Sequence, residues 1–265
     1  VQLFALTQPH AQHHHVRLLD TLHQQGWQVN PRKTVHATQR AVCFGLTVDL
    51  YHKTVRLAAS HRRTFLSCWR QLRVLPAPTR ADIASVLGQI VFLTHVTPGC
   101  LAYAATLIAL VAQPGSWREL RPLTPAALSE LDWWIDRLDV DPVRYLRTVV
   151  SYTRVSTDAT LRRLAVVTPQ IVLTRPLTEE HLTIIEAEAR AVLWALTSVP
   201  GDLHFLIDNA ALVFACRKGR SSNEHVNDLC KAIADARHTG RHFIFQWIPT
   251  AHNVADIPTR PHRLN

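Results

Sequence analysis

A five-residue apolar run, Leu203 to Ile207, ends on a carboxylate, Asp208. His204 is its only polar member, and so short and apolar a run reads as a buried strand. A carboxylate at the tip of such a strand is costly unless something cationic meets it. Three more acids stand in comparable settings. Asp158 follows the strand-like Tyr152 to Thr157, Glu188 lies in the helical run Ile184 to Leu196, and Asp256 follows the strand Phe243 to Ile248. Four acids on separate elements, with no Cys or His arranged beside them, point to a hard divalent cation such as Mg²⁺.

The elements around these acids set the fold class. From Ser151 onward the chain reads as three short strands (Tyr152–Thr157, Leu164–Thr168, Ile171–Leu173) and a helix over Thr183–Val199. The strand Leu203–Ile207, a helix from near Asn209, a helix over Asn223–Arg237 and the strand Phe243–Ile248 follow. The order β-β-β-α-β-α-α-β predicts an α/β domain with a mixed five-stranded sheet and flanking helices.

The first half reads differently. Val1 to Ala5 is a predicted strand, Thr7 to Pro9 a turn, and Ala11 to Gln25 an amphipathic helix ended by Gly26. Ala41 to Leu50 reads as one strand with Gly45 inside it, paired with Thr54–Leu57. Helices are predicted from a Ser60 cap to Leu75, from a Thr79 cap to about Val96, and from Cys100 to Gln113. A fourth begins at Thr124-Pro125, with Leu128, Leu131, Trp134, Ile135 and Leu138 at core spacing. Trp133 and Trp134 are read as core packing in preference to a base-stacking platform.

Charge narrows the partner. The chain carries 29 Lys and Arg against 20 Asp and Glu, a net +9. Residues 1–121 hold 13 basic and 4 acidic side chains, residues 122–150 hold 3 and 5, and residues 151–265 hold 13 and 11. The basic excess lies in the first half and the acid cluster in the last part. That asymmetry suits a polyanion held in one place and cut in another. No apolar run approaches a membrane span. Five scattered cysteines argue for a reducing compartment and against structural zinc, so an intracellular location is expected, nuclear or cytoplasmic. With no Met at position 1, the chain is expected to begin inside a longer reading frame.

The acid motifs resemble those of ribonuclease H domains. The strings are Ser156-Thr157-Asp158-Ala159-Thr160, Ala187-Glu188-Ala189-Arg190-Ala191, Ile207-Asp208-Asn209, and Trp247-Ile248-Pro249 to Asn253-Val254-Ala255-Asp256 with Thr259-Arg260. The last resembles the version in reverse transcriptases of retroelements, tyrosine-recombinase retrotransposons and hepadnavirus-like enzymes in particular. Upstream, Gly26 to Thr34 and Cys43 to Asp49 resemble the end of a reverse-transcriptase palm. The resemblance implies a palm end over residues 1–58, a helical thumb over 59–122, a connection helix over 123–150 and an RNase H-like domain over 151–265. It also implies that the polymerase Tyr-x-Asp-Asp motif precedes Val1. Leu161-Arg162-Arg163 stands where the family has glycines, which predicts a shortened first hairpin.

The chemistry implied is hydrolysis of the RNA strand of an RNA–DNA hybrid, leaving 3′-OH and 5′-phosphate ends. Two Mg²⁺ ions about 4 Å apart would activate a water and stabilise the leaving oxygen, with Mn²⁺ able to substitute. Asp158, Glu188, Asp208 and Asp256 are the expected catalytic residues and metal ligands. Glu186 competes with Glu188, but the two lie about 200° apart on a helix. Glu188 is preferred because Val192 and Leu196 then pack below it. Asn209 is expected to orient Asp208 or a substrate 2′-OH, with helix capping an equal alternative. His252 is a candidate proton carrier, although a solvated loop histidine is the commoner case. Lys218, Arg220 and Ser221 are candidate phosphate contacts. Lys33 and Arg32, with Arg62, Arg63, Arg70 and Arg73, are expected to line the duplex from the thumb side. Expected partners are the hybrid and the rest of a polyprotein. The alternative is an inactive or domesticated fragment acting as a nucleic-acid-binding or interaction module. An integrase-like nuclease on the same fold is a weaker rival.

Overall fold

A computed structural model describes residues 7–146 and 151–260, with only the backbone of Lys33. The predicted strand Val1–Ala5 lies outside the described residues. The first helix, α1 (Gln8–Gln24), begins earlier than expected because Thr7 caps it through the N–H of His10. Residues 40–57 form an antiparallel sheet of β1 (Arg40–Cys43), β2 (Leu46–Asp49) and β3 (Thr54–Leu57), joined at its edge by β4 (Val143–Tyr145). The single strand predicted over 41–50 is therefore two strands. Phe44 and Gly45 both take positive φ, 50° and 79°, and make a two-residue turn whose twist suits a hairpin. Phe44 is 82% exposed, so the apolar run through it does not mark a buried strand.

A helical layer covers this sheet: α2 (Ala59–Val74), α3 (Arg80–Leu93), α4 (Ala105–Ala112) and α5 (Pro125–Asp139). Trp69, Ile83, Ile90, Leu93, Leu107, Leu131, Trp134 and Leu138 share one core there with Leu57 from β3. Trp134 is fully buried and donates its indole N–H to the carbonyl of Tyr103 at 2.8 Å, which settles it as core. Trp133 stacks on Tyr103 with ring centroids 4.0 Å apart. Two helix starts differ from expectation. Ala58, not Ser60, precedes α2, without a side-chain cap. Cys100 to Gln113 is broken into a 3₁₀ turn (Cys100–Ala104) and α4. The cap that starts α4 comes from far along the chain: the Glu130 carboxylate accepts the N–H groups of Thr106 and Leu107 at 2.8–3.0 Å. A cap supplied by another helix leaves no local trace in sequence. At α3 the local signal holds, since Thr79 and Asp82 form a reciprocal capping box.

The second sheet is mixed, in the order β7-β6-β5-β8-β9. Its strands are β5 (Thr153–Ala159), β6 (Arg163–Val167), β7 (Val172–Pro176), β8 (Leu203–Ile207) and β9 (Phe243–Trp247). The first three form an antiparallel meander, and β8 and β9 run parallel to β5. With helices α6 (Ile184–Ser198), α7 (Ala210–Lys218) and α8 (Glu224–His238), this is an RNase H-like fold. Val155, Phe205 and Phe245 on the strands meet Val192, Leu196, Leu212, Val226, Leu229 and Ile233 on the helices in one core. The β5–β6 hairpin is as tight as expected. Thr160 Oγ1 accepts the N–H groups of Arg162 and Arg163 and stands in for a glycine turn. No helix among the described residues is long and apolar enough to cross a membrane.

The two units are docked along α8. Asn227, buried, donates to the Ala102 carbonyl at 3.0 Å and accepts the Ser221 N–H at 3.1 Å. Asp235 accepts the Tyr103 hydroxyl at 2.7 Å. Truncation of Asn227 would leave a buried carbonyl and N–H without partners, a loss of about 1–3 kcal/mol. Asn227→Ala is expected to lower unfolding stability by that amount in urea titrations. Asp228→Ala, which removes only a surface pair with Lys231, should fall within about 0.5 kcal/mol of the parent.

Candidate active site

Parallel pairing brings the first two acids together. In the β5–β8 register Thr153 faces Leu203 and Ser156 faces Leu206, so two residues further on Asp158 is level with Asp208. Side chains at one level of adjacent strands point to the same face. Asp158 lies inside β5, not beyond its end as the sequence pattern implied, and is 4% exposed. Glu188 sits in the second turn of α6, which packs on β5 and β6. Asp256 opens the last helical turn, α9 (Asp256–Thr259), packed against the same two strands.

Like charges crowd this corner. Burial pushes the Asp158 carboxyl up, the charges of Asp208 and Asp256 add to that, and a hydrogen bond from Thr259 opposes it. Glu188 is pushed up to about 7, by burial first and by Asp208 and Asp158 after it, against a hydrogen bond from Asn209. Glu188 Oε2 is buried with no hydrogen-bond partner.

A set of polar side chains holds the acids in place. Asn253, 4% exposed, donates its amide to both the Thr157 carbonyl and Asp208 Oδ1, each at 3.0 Å. Thr259 donates its hydroxyl to Asp158 Oδ2. The Trp247 indole N–H reaches the Asp208 carbonyl at 3.0 Å. Arg260 Nε lies 3.0 Å from Asp256 Oδ1, an ion pair without a hydrogen bond. Asn253, Thr259 and Arg260 were not among the expected site residues. Their sequence signal is the motif string around Asp256, in which all three stand; the contacts across 96 and 101 residues of chain are invisible in it.

The rival acid Glu186 has other work. It completes a capping box with Thr183 and accepts from Asn223 at 2.8 Å, and the Thr183 backbone N–H leads in lowering its carboxyl to about 2. Asn209 takes the capping role, its Oδ1 accepting the Leu212 N–H to start α7, and its side chain meets Glu188 and not Asp208, whose partner is Asn253.

The remaining candidates sit elsewhere or are engaged. His252 is exposed on a 3₁₀ turn, and Lys218, over the Phe214 ring, ends α7. Among the described residues neither these nor Arg220 hydrogen-bonds or ion-pairs with the four acids. Ser221 is structural: its N–H reaches Asn227 and its hydroxyl accepts from Asn223. Arg62 donates to the Leu138 and Asp139 carbonyls, Arg70 pairs with Asp139 and Arg73 with Asp132. Those three tie α2 to α5, while Arg63 and Arg32 remain exposed. The Lys33 side chain lies outside the described residues.

The donor set fits a hard divalent cation. It is all carboxylate oxygen, and two of those oxygens, on Glu188 and Asp256, are buried without a hydrogen bond. Among the described residues no three His, Cys, Asp or Glu side chains converge as a closed ligand group. The acids are drawn instead towards Thr259, Asn253 and Arg260.

No family model and no curated sequence matches this chain. Solved structures do resemble it. A foamy viral protease-reverse transcriptase in complex with RNA/DNA hybrid is 13% identical, with a TM-score of 0.43, over 91% of this chain and 34% of that one. The same kind of protein in complex with dsDNA is 12% identical, with a TM-score of 0.42, over 88% and 51%. The chain thus spans a third to a half of the solved chains. Likeness at this level adds nothing about chemistry, which rests on the residues themselves.

A carboxyl that is harder to ionise in the folded protein binds its proton more tightly there than in the unfolded chain. Stability is then highest below the unfolded pKa and falls as pH rises towards the folded one. In a chelating buffer, the melting temperature is expected to decline between the ordinary glutamate range and about pH 7, and Glu188→Gln should flatten that decline. Thermal melts across this window measure both.

Proposed function

We propose that the chain is part of a retroelement reverse transcriptase whose ribonuclease H domain, residues 151–265, cuts the RNA strand of RNA–DNA hybrids in a Mg²⁺-dependent hydrolysis. The observation that carries this reading is Asp158 level with Asp208 on adjacent parallel strands, with Glu188 and Asp256 within electrostatic reach. The motif strings in which those four acids stand support it independently. The solved relatives act here only as a fold-level parallel.

In this reading Asp158, Glu188, Asp208 and Asp256 hold the divalent ions, which supply water activation and charge stabilisation at the scissile phosphate when bound. The chain's own residues do the positioning. Asn253 fixes Asp208 against the Thr157 backbone. Thr259 fixes Asp158, and Asn209 steadies Glu188. RNA is told from DNA by 2′-OH contacts and duplex shape, not by base edges. The palm end, thumb and connection assigned to residues 1–150 belong to the same proposal.

The other reading is a binding module that has lost cleavage. The engagement of Asp158 by Thr259, Asp208 by Asn253 and Asp256 by Arg260 favours it. A labelled RNA–DNA hybrid decides between them. The intact chain should cleave it with Mg²⁺ or Mn²⁺ and not with EDTA, and Asp208→Asn should bring cleavage to background. Binding without cleavage in every divalent ion would leave only the binding module.

A further inference from the structure

At the opposite end of the second sheet lies a cleft of about 1260 Å³ between the two units. Tyr152, just before β5, and Phe243, at the start of β9, line it. Asp158 is five residues along β5 from that end, about 17 Å at the usual strand rise. The cleft and the acid cluster are therefore separate places.

The lining is strongly cationic. Among the described residues Arg137, Arg144, Arg217, Arg237 and Arg241 line it, against one acid, Asp141. That acid is already paired with Arg56 at 3.2 Å. The other nearby acids are occupied as well. Asp235 accepts the Tyr103 hydroxyl, and Asp202 accepts the His242 N–H at 2.8 Å. Arg217 and Arg241 donate to backbone carbonyls, which positions them without cancelling their charge. Arg144 makes one such bond, to the His95 carbonyl.

Arg237 is the decisive member. Its side chain makes no hydrogen bond or ion pair among the described residues. Its guanidinium packs on Gly99 so closely that a Cβ there would lie 2.6 Å from Nη1. Burial lowers its pKa, and Arg144 adds repulsion. A desolvated cation among other cations is costly unless an anion completes the site. Tyr145, 61% exposed at the end of β4, and Tyr152 give the same cleft aromatic faces. Arginines that track a backbone and aromatics on which bases stack are the combination that holds single-stranded nucleic acid. The volume exceeds that of an ordinary small-molecule pocket, about 300–1,000 Å³, and so suits a length of strand.

We propose that this cleft, bounded by Arg137, Arg144, Arg237 and Tyr145, binds the phosphate backbone of a single nucleic-acid strand, with a base on Tyr145. Binding there requires no cleavage and stands or falls apart from the nuclease reading.

The test is fluorescence anisotropy of a short labelled oligodeoxythymidylate with the full chain in EDTA, across a salt series. Arg137→Gln with Arg144→Gln should weaken binding about tenfold and flatten the slope of log affinity against log salt by about 1.4, or about 0.7 per charge on a single strand. Arg237→Gln should weaken it further, with circular dichroism reporting on folding. Tyr145→Ala should weaken oligonucleotide binding several-fold and leave heparin binding unchanged. Unaltered affinity and slope in the folded Arg137/Arg144 double variant would overturn the site. Tyr145→Ala without effect on the oligonucleotide would overturn the assignment to a nucleic-acid strand.

Discussion

The repulsion between carboxylates gathered at one corner of the second sheet is the constraint around which that unit is built. Nothing in a strand requires an acid at its buried end. Parallel pairing of β5 with β8 nevertheless sets Asp158 level with Asp208, and α6 adds Glu188 from above. Burial first, and the neighbouring charges after it, leave carboxyls that ionise less readily than usual, Glu188 most of all. The remedy lies in the tail after β9. Asn253 and Thr259 each spend their hydrogen-bonding capacity on an acid or on the strand beside it. That tail is thus an integral part of the site and not a trailing end.

The first unit solves a different problem. Its helices α2 and α5 are strapped by Arg62, Arg70 and Arg73, so part of the basic excess expected to face a polyanion is internal carpentry. The unpaired positive charge collects instead where the two units meet, around Arg137, Arg144 and Arg237. Counting charges along the chain finds the excess in the first half. Packing places the unpaired cluster elsewhere, on residues that follow that stretch in the chain.

The second unit was legible in the sequence because its signals are local. The apolar run at 203–207 is the observed strand without a residue's change, and the Thr183 and Asn223 helix starts carry their own caps. The four acids could be picked out because each sits beside such an element. What failed was non-local. The break at Cys100–Ala112 depends on Glu130 and Trp134, and the hairpin at Phe44-Gly45 hides in an apolar run whose Phe faces solvent. The strand Val143–Tyr145 completes a sheet begun 100 residues earlier and falls within the stretch expected as the connection helix, which ends at Asp139. The residues that steady the acids stand in the motif string after β9, but their contacts with β5 and Asp208 are equally non-local.

Titration calorimetry of Mn²⁺ into the full chain addresses the metal centre itself, without reference to any nucleic acid. The account predicts saturable binding of about two ions per chain, lost or sharply weakened in Asp158→Asn and in Asp208→Asn. Absence of binding, or binding that both variants leave intact, would contradict the assignment of these acids to a cation site.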